Sequence, residues 1–175
     1  MNQTRLTALR YAVSAGACAL TTWLLLPLRD TLDLANAVML AESCAVTAVD
    51  IDEARLESIA RGVSPIGDPE IQDYLSNRGL CLSVSSDTAL ACAGADYIIV
   101  AVPTDSASAG IAGFDTSAVE SVVSIAFAAA PDAVIVLRST IPAGFTDRLL
   151  AAHAGIKLLY VPEFSREGKA LYDNL

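Results

Sequence analysis

Tyr97-Ile-Ile-Val-Ala-Val102 is an unbroken apolar run, and it is the stretch that decides the fold. A short apolar run rich in β-branched residues is typical of a strand that is buried on both faces of a parallel sheet. Ala45-Val-Thr-Ala-Val-Asp50 predicts a second strand. Helical stretches separate these runs, so the chain alternates strand and helix. The alternation predicts an α/β fold made of βαβ units around a doubly wound parallel sheet.

The remaining elements follow from local signals. Asp52, Asp68 and Asp87 each precede a helical stretch, where an aspartate can cap the free backbone N–H groups, and Pro69 suits a first helical turn. Helices are predicted at 52–61, from 68, at 87–93, at 115–130 and at 145–153, and weaker strands at 80–84, 133–137 and 157–161.

Composition limits the class of protein and its partners. The chain has 175 residues, which is enough for one ordinary domain of ~100–150 residues and its core. Hydrophobic residues make up 54% and charged residues 18%, so the chain is globular rather than disordered. The net charge of −9 repels nucleic-acid phosphate and anionic lipid headgroups. We therefore expect small or neutral partners and no nucleic acid.

The cysteines and the single histidine argue against a metal site. No two of the four cysteines form a Cys-x-x-Cys pair, and His153 stands at a predicted helix end, where a histidine is favourable without a further role. Free, mostly buried thiols in a reducing cytoplasm are predicted. A membrane anchor at 11–28 is the competing interpretation, but Thr21, Thr22 and Pro27 interrupt that apolar run, which makes it a poor membrane segment.

Polar residues at the carboxyl ends of strands are the candidates for a ligand site, because doubly wound sheets bind ligands there. Asp50 ends one strand and could accept hydrogen bonds from both hydroxyls of a ribose. Thr104 and Thr140 follow two others. Glu163 and Glu167 are four residues apart and would share one face of a helix. Each also has an ordinary explanation as a turn residue or a helix cap.

Six blocks taken together are more specific than any one of them. They are Ala48-Val-Asp-Ile-Asp52, Gly62-Val-Ser-Pro-Ile-Gly-Asp-Pro-Glu-Ile71, Ala95-Asp-Tyr-Ile-Ile-Val-Ala-Val-Pro-Thr104, Phe114-Asp-Thr-Ser-Ala-Val119, Arg138-Ser-Thr-Ile-Pro142 and 162–175. In this order they resemble the blocks of bacterial UDP-glucose 6-dehydrogenases. The resemblance covers 34–175. It implies a Rossmann-like NAD-binding domain fragment over 34–175, whose catalytic C-terminal half is absent, after an atypical segment at 1–33.

The resemblance assigns the cofactor residues. Asp50 would hold the adenosine ribose of NAD, and Arg55 would lie beside it near the phosphates. Thr104 would contact the cofactor. Thr140 would contact it too and, as a catalytic residue, would help to hold the water used in the second oxidation. Glu167 would lie near the nicotinamide.

The resemblance also assigns the substrate residues and the reaction. Glu163 would be the carboxylate paired with the water, and the sugar-nucleotide pocket would be lined by Glu163, Phe164, Ser165, Arg166 and Glu167. Ser165 stands where the family usually has leucine. UDP-glucose would be oxidised twice at C6 and two NAD reduced, through a thiohemiacetal on a cysteine of the absent half. The chain alone is therefore expected to be inactive, and the full-length family to form homodimers.

The glycine loop of the cofactor fingerprint is missing, which makes the first βα unit atypical. The fingerprint G-x-G-x-x-G should fall on Leu28-Arg-Asp-Thr-Leu-Asp33, which contains no glycine. Asp30 and Asp33 take two glycine positions, and Gly16 is too distant to replace them. A shift of reading frame upstream of residue 34 would explain the segment. A membrane-tethered or partner-binding domain without enzymatic activity, or a fragment of another nucleotide-sugar dehydrogenase, would also agree with this sequence.

Overall fold

The computed structural model describes residues 21–25, 31–104 and 115–162, with side chains from Leu34 onward within these ranges. Its strands are β1 (Thr21–Leu25), β2 (Ala45–Val49), β3 (Leu82–Ser85), β4 (Tyr97–Val100), β5 (Val134–Leu137) and β6 (Lys157–Tyr160). Its helices are α1 (Thr31–Ala41), α2 (Glu53–Ala60), α3 (Pro69–Asn77), α4 (Thr88–Cys92), α5 (Ser117–Ala129) and α6 (Phe145–Ala152).

The strands form one parallel sheet in the order β3-β2-β1-β4-β5-β6. The first three strands extend the sheet in one direction, and the chain then crosses back to place β4 on the other side of β1. This is the doubly wound order of the Rossmann fold, with its switch point between β1 and β4. The predicted fold class is confirmed.

β1 lies at the centre of the sheet and pairs with both β2 and β4. Leu25 at its carboxyl end is in register with Val49 and with Val100. This strand falls inside the apolar run at 11–28, before the division predicted at residue 33, and it belongs to the same sheet as the rest of the domain. Within the described ranges, no helix is long and apolar enough to cross a membrane.

Alternation along the strands distributes the core over the two faces of the sheet. Val46 and Ala48 of β2 pack in a cluster with residues of α1, α2 and α3, whereas Val49 packs on the opposite face. Ile98 and Val100 of β4 join that second cluster, which α4, α5 and α6 cover. Successive side chains of a strand point to opposite faces, so nearly every residue of β2 and β4 must be apolar.

The helix starts confirm the predicted caps. Asp52 Oδ1 accepts the backbone N–H groups of Ala54 and Arg55 at 3.0 and 3.3 Å. Asp68 Oδ1 does the same for the first turn of α3, and Asp87 Oδ1 accepts the N–H of Leu90 in α4. These bonds satisfy N–H groups that have no partner inside the helix. They fix where each helix leaves the sheet edge.

The prediction that the thiols are mostly buried is wrong for the described cysteines. Cys81 is exposed and Cys44 half-buried, because both lie where the chain enters β2 and β3 at the amino edge of the sheet. Cys92 is buried in α4, and burial raises the pKa of its thiol to about 11. None of the three forms a disulfide, and the described residues contain no cluster of potential metal ligands.

Candidate cofactor site

A cavity of about 270 Å³ opens beyond the carboxyl ends of β2 and β4, on the side that α5 covers. It lies where doubly wound sheets bind their ligands. Its walls come from the end of β2, the β3–α4 turn, the end of β4 and one face of α5. The lining residues are Val49, Asp50, Ile51, Ser86, Thr88, Val102, Pro103, Ala118, Ser121 and Val122.

Asp50 is the charged residue in this lining, and its carboxylate is fully buried. Its Oδ1 accepts the backbone N–H of Asp52 at 2.9 Å, but its Oδ2 has no hydrogen-bond partner. Burial raises the pKa of this carboxyl, against the opposing effects of the Asp52 N–H and the Arg55 charge. A buried carboxylate oxygen that accepts no hydrogen bond is costly, so a donor from a ligand would be favourable at Oδ2.

Arg55 balances part of the charge on Asp50. Its Nη1 lies 3.6 Å from Asp50 Oδ2, and its side chain is mostly buried. The helix cap brings the two together: Asp52 holds the first turn of α2, which places Arg55 above the end of β2. Asp52 is therefore the capping residue, as predicted, and Asp50, which lines the cavity, has no part in the cap.

The rest of the cavity is mostly apolar. Ile51 is 87% exposed although isoleucine is usually buried, and it lines the cavity beside Val102 and Pro103. Val122 of α5 forms part of the opposite wall. A flat aromatic ring between such side chains would cover apolar surface that now faces water. The cavity thus combines an apolar slot with one charged lining residue, Asp50, whose Oδ2 accepts no hydrogen bond.

Hydrogen bonds tie the end of β5 to the end of β4. Ser139 Oγ donates to the carbonyl oxygen of Val102 at 2.7 Å, and the Arg138 N–H donates to the carbonyl of Val100 at 2.8 Å. Thr140, one residue further, is exposed, and Thr104 is half-buried. Both follow strand ends on the ligand edge of the sheet, but neither lines the cavity around Asp50.

The remaining predicted site residues lie outside the described ranges. These are Glu163, Phe164, Ser165, Arg166 and Glu167, which follow β6 in the chain. Their proposed roles stay predictions, as do those of Asp50, Arg55, Thr104 and Thr140.

Three polar lining residues were missed by the sequence interpretation. Ser86 and Thr88 flank the cap of α4, and the rule of polar residues after strand ends could have found them. Ser121 lies in the second turn of α5, where no signal in the sequence indicates a ligand.

The β1–α1 turn is the second part of a dinucleotide site in this fold, because the pyrophosphate sits at the start of the first helix. β1 ends at Leu25 and α1 begins at Thr31, so the positions 28–33 run through this turn into the helix. None of the six residues is glycine. The turn thus lacks the residue type that lets backbone N–H groups approach a phosphate.

Comparison with known proteins agrees with this geometry. The profile of the UDP-glucose/GDP-mannose dehydrogenase family, NAD binding domain, matches residues 33–175. The UDP-glucose 6-dehydrogenase of Streptococcus pneumoniae is 37% identical over 142 residues, which cover 81% of this chain and 36% of that protein. The corresponding protein of Campylobacter jejuni is 32% identical over 144 residues, with the same two shares.

A solved structure with the same fold is that of a UDP-glucose dehydrogenase from the archaeon Pyrobaculum islandicum. It superposes with a TM-score of 0.73 at 26% identity, over 91% of this chain and 39% of that one. The chain thus spans little more than a third of these relatives. NAD as the predicted cofactor is confirmed at the level of the family. The chain belongs to the UDP-glucose/GDP-mannose dehydrogenase family and corresponds to its NAD-binding domain.

Proposed function

We propose that this chain is the NAD-binding part of a UDP-glucose 6-dehydrogenase and that it does not turn over substrate alone. The family supports an NAD-dependent nucleotide-sugar dehydrogenase, and the two relatives named above support UDP-glucose as the sugar nucleotide. Because the chain matches only 36% of those relatives, most of their length has no counterpart in these 175 residues. We therefore expect the chain alone not to oxidise UDP-glucose.

The observation that carries the proposal is the oxygen of Asp50 that accepts no hydrogen bond. This atom, Oδ2, is buried at the end of β2 with the Arg55 charge 3.6 Å away, while Oδ1 is held by the N–H of Asp52. A ribose offers two neighbouring hydroxyl donors, which is what this carboxylate lacks. The apolar walls beside Ile51 suit the adenine ring that follows the ribose.

Asp50 would also select NAD over NADP. NADP carries a phosphate in place of the ribose 2′-hydroxyl, which removes a donor and adds negative charge beside the carboxylate. Arg55 is the cation beside Asp50, but its Nη1 is 3.6 Å from Oδ2 and so its charge is shared with the carboxylate. The arrangement therefore favours the cofactor without the additional phosphate.

NAD, when bound, supplies the hydride acceptor for the oxidation of the sugar alcohol. The chain would contribute positioning residues for that step. Thr140 has an exposed hydroxyl after β5, where it could hold a water molecule, and Ser139 fixes this turn against β4. By resemblance, Glu163 would be the carboxylate that shares this water. A cytoplasmic location and a homodimer of the full-length protein stay predictions.

Two measurements test the proposal. Isothermal titration calorimetry of the chain with NAD and with NADP should show binding of NAD and at least about tenfold weaker binding of NADP, since a lost charge-assisted hydrogen bond costs ~1.5 kcal/mol or more. Equal binding of the two would contradict the role of Asp50.

The second measurement is NADH formation by the purified chain. No NADH should appear with UDP-glucose or with GDP-mannose, whose dehydrogenase from Pseudomonas aeruginosa shares the fold at a TM-score of 0.71. Detectable turnover would refute the inactive state of the chain alone, and the sugar nucleotide consumed would identify the substrate.

A further inference from the structure

We infer that this site takes the adenosine nucleoside in preference to the whole dinucleotide. The inference rests on the proposed function, because it assigns the same cavity to the adenosine end of NAD. The inference goes further because it treats the adenosine end of NAD separately from the pyrophosphate. The sequence at 28–33 lacks the glycines that bind a pyrophosphate. The predicted ligand class is an adenine nucleoside that carries no phosphate.

The described residues offer contacts for both parts of a nucleoside. Asp50 Oδ2, although 3.6 Å from Arg55 Nη1, accepts no hydrogen bond, and a ribose hydroxyl would donate one. Ile51, Val102 and Val122 give apolar contacts for a base. The hydroxyls of Ser86 and Ser121 stand in the same lining and can serve a polar edge of that base.

The size of the cavity agrees with a nucleoside. Its volume of about 270 Å³ lies just under the range of ~300–1,000 Å³ in which pockets for drug-sized ligands usually fall. A dinucleotide is roughly twice the size of a nucleoside, so most of it would have to lie outside this cavity. Its binding would then depend on the β1–α1 turn.

That turn opposes a phosphate by its composition. Asp33 is the third residue of α1, and Asp30 directly precedes the helix. A carboxylate at a helix start competes with a phosphate for the same N–H groups and repels its charge. Without glycine, a Cβ also stands at each position where the backbone should approach the pyrophosphate.

The cavity offers little positive charge to offset this repulsion. No lysine or arginine stands among the described residues that line it. Arg55, beside it, already shares its charge with Asp50. The chain as a whole carries a net charge of −9, which also disfavours an anionic ligand. Each phosphate added to the nucleoside should therefore lower the affinity.

The test is a calorimetric series with adenosine, AMP and NAD at low ionic strength. Adenosine is expected to bind most tightly, with AMP and NAD each at least about threefold weaker, which corresponds to ~0.65 kcal/mol. NAD binding more tightly than adenosine would overturn the inference and leave the proposed function intact. If neither NAD nor adenosine binds, both fail.

A pair of double variants then locates the cause in the turn. D30G/D33G should tighten NAD by about tenfold, which corresponds to ~1.4 kcal/mol, because it removes two carboxylates that repel the pyrophosphate, and it should leave adenosine within twofold. D30N/D33N removes the charges but keeps the side chains, and it should tighten NAD by a smaller factor. If the glycine double variant does not fold, the asparagine double variant still tests the inference. Unchanged NAD affinity in the asparagine variant would overturn the inference.

Discussion

The carboxyl end of β2 and the β1–α1 turn are neighbouring parts of one sheet edge, and they differ in how well they suit a dinucleotide. The end of β2 has a buried carboxylate with one oxygen that accepts no hydrogen bond, a capped helix that holds Arg55 beside it, and an apolar cavity. The sequence of the β1–α1 turn has no glycine and has carboxylates at two positions of the glycine fingerprint. Features that suit a nucleoside can therefore stand beside a sequence that does not suit a pyrophosphate.

The reason is that separate segments of backbone build the two halves. Asp50 is positioned by the pairing of β2 with β1 and β3 and by the N–H of Asp52, none of which uses the side chains at 28–33. In this fold the corresponding turn acts on a pyrophosphate through its backbone N–H groups. Substitutions at the two places should therefore affect different parts of the ligand.

The largest effect is expected from filling the cavity. Ser121 is an exposed residue of α5 that lines the cavity, so Ser121→Phe should place a ring in the space proposed for adenine and reduce adenosine binding at least about 100-fold. Ser124→Phe, one turn later on the same helix and outside the lining, is the matched control. Calorimetry should show binding only for the control. Equal binding by both variants would place adenosine elsewhere.

Removal of the Asp50 carboxylate should have the next largest effect. Asp50→Ala takes away the acceptor for the ribose hydroxyls, and hydrogen bonds to charged groups are worth ~1.5–3 kcal/mol, so adenosine affinity should fall about 10- to 100-fold. A 2′,3′-dideoxyadenosine probe should bind wild type and variant alike. If the alanine variant keeps its affinity for adenosine, Asp50 is not the ribose partner.

A smaller effect is expected from Arg55. Arg55→Ala removes the cation 3.6 Å from Asp50 and should weaken AMP and NAD by about three- to tenfold, with less effect on adenosine, because a phosphate gains most from a nearby positive charge. Arg55→Lys keeps the charge and should restore part of the loss. Calorimetry with the three ligands measures both. An equal loss of affinity for adenosine, AMP and NAD would indicate that Arg55 acts only by positioning Asp50 and does not interact with a phosphate.

The smallest effect concerns stability without ligand. Burial raises the pKa of Asp50 above its ordinary value of 3.8, so the folded chain binds a proton at this group more readily than the unfolded chain does. The contribution of the Asp50 carboxyl to the free energy of unfolding therefore falls as pH rises from 3.8 through the raised pKa. Asp50→Asn does not titrate, so the variant should not show this fall in stability.

Urea unfolding of the wild type and of Asp50→Asn at pH 4 and pH 7 measures the effect. The variant should gain stability relative to wild type, and the gain should be larger at pH 7. The gain at pH 7 should disappear when saturating adenosine supplies the missing hydrogen bonds to the wild type. A gain of equal size at both pH values would show that Asp50 is not the titrating group.

Most elements of the sheet could be predicted from local patterns. Buried parallel strands have to be apolar on both faces, which made Tyr97–Val102 recognisable, although β4 ends at Val100 and Tyr97 is 41% exposed. The carboxyl ends of strands were predicted one or two residues too long at β2, β4 and β6. The backbone pairing of β4 ends at Val100, but Ala101 and Val102 still pack against the core. The apolar run is therefore longer than the strand.

The sequence alone determined the order of strands and helices from β2 onward, the aspartate caps of α2, α3 and α4, and the assignment of Asp52 rather than Asp50 as the cap of α2. These features depend on residues close together in the chain, whose hydrogen bonds and burial pattern are local. It also determined the absence of glycine at 28–33.

Only the tertiary structure decided the central place of β1, the cavity and the unpaired oxygen of Asp50. The cavity joins residues from β2, from the β3–α4 turn, from the end of β4 and from α5, which are as far apart in sequence as Val49 and Val122. No local pattern records which of these segments meet, because the crossover between β3 and β4 brings them together. Whether an aspartate oxygen is satisfied or left for a ligand depends on every donor that the fold places around it.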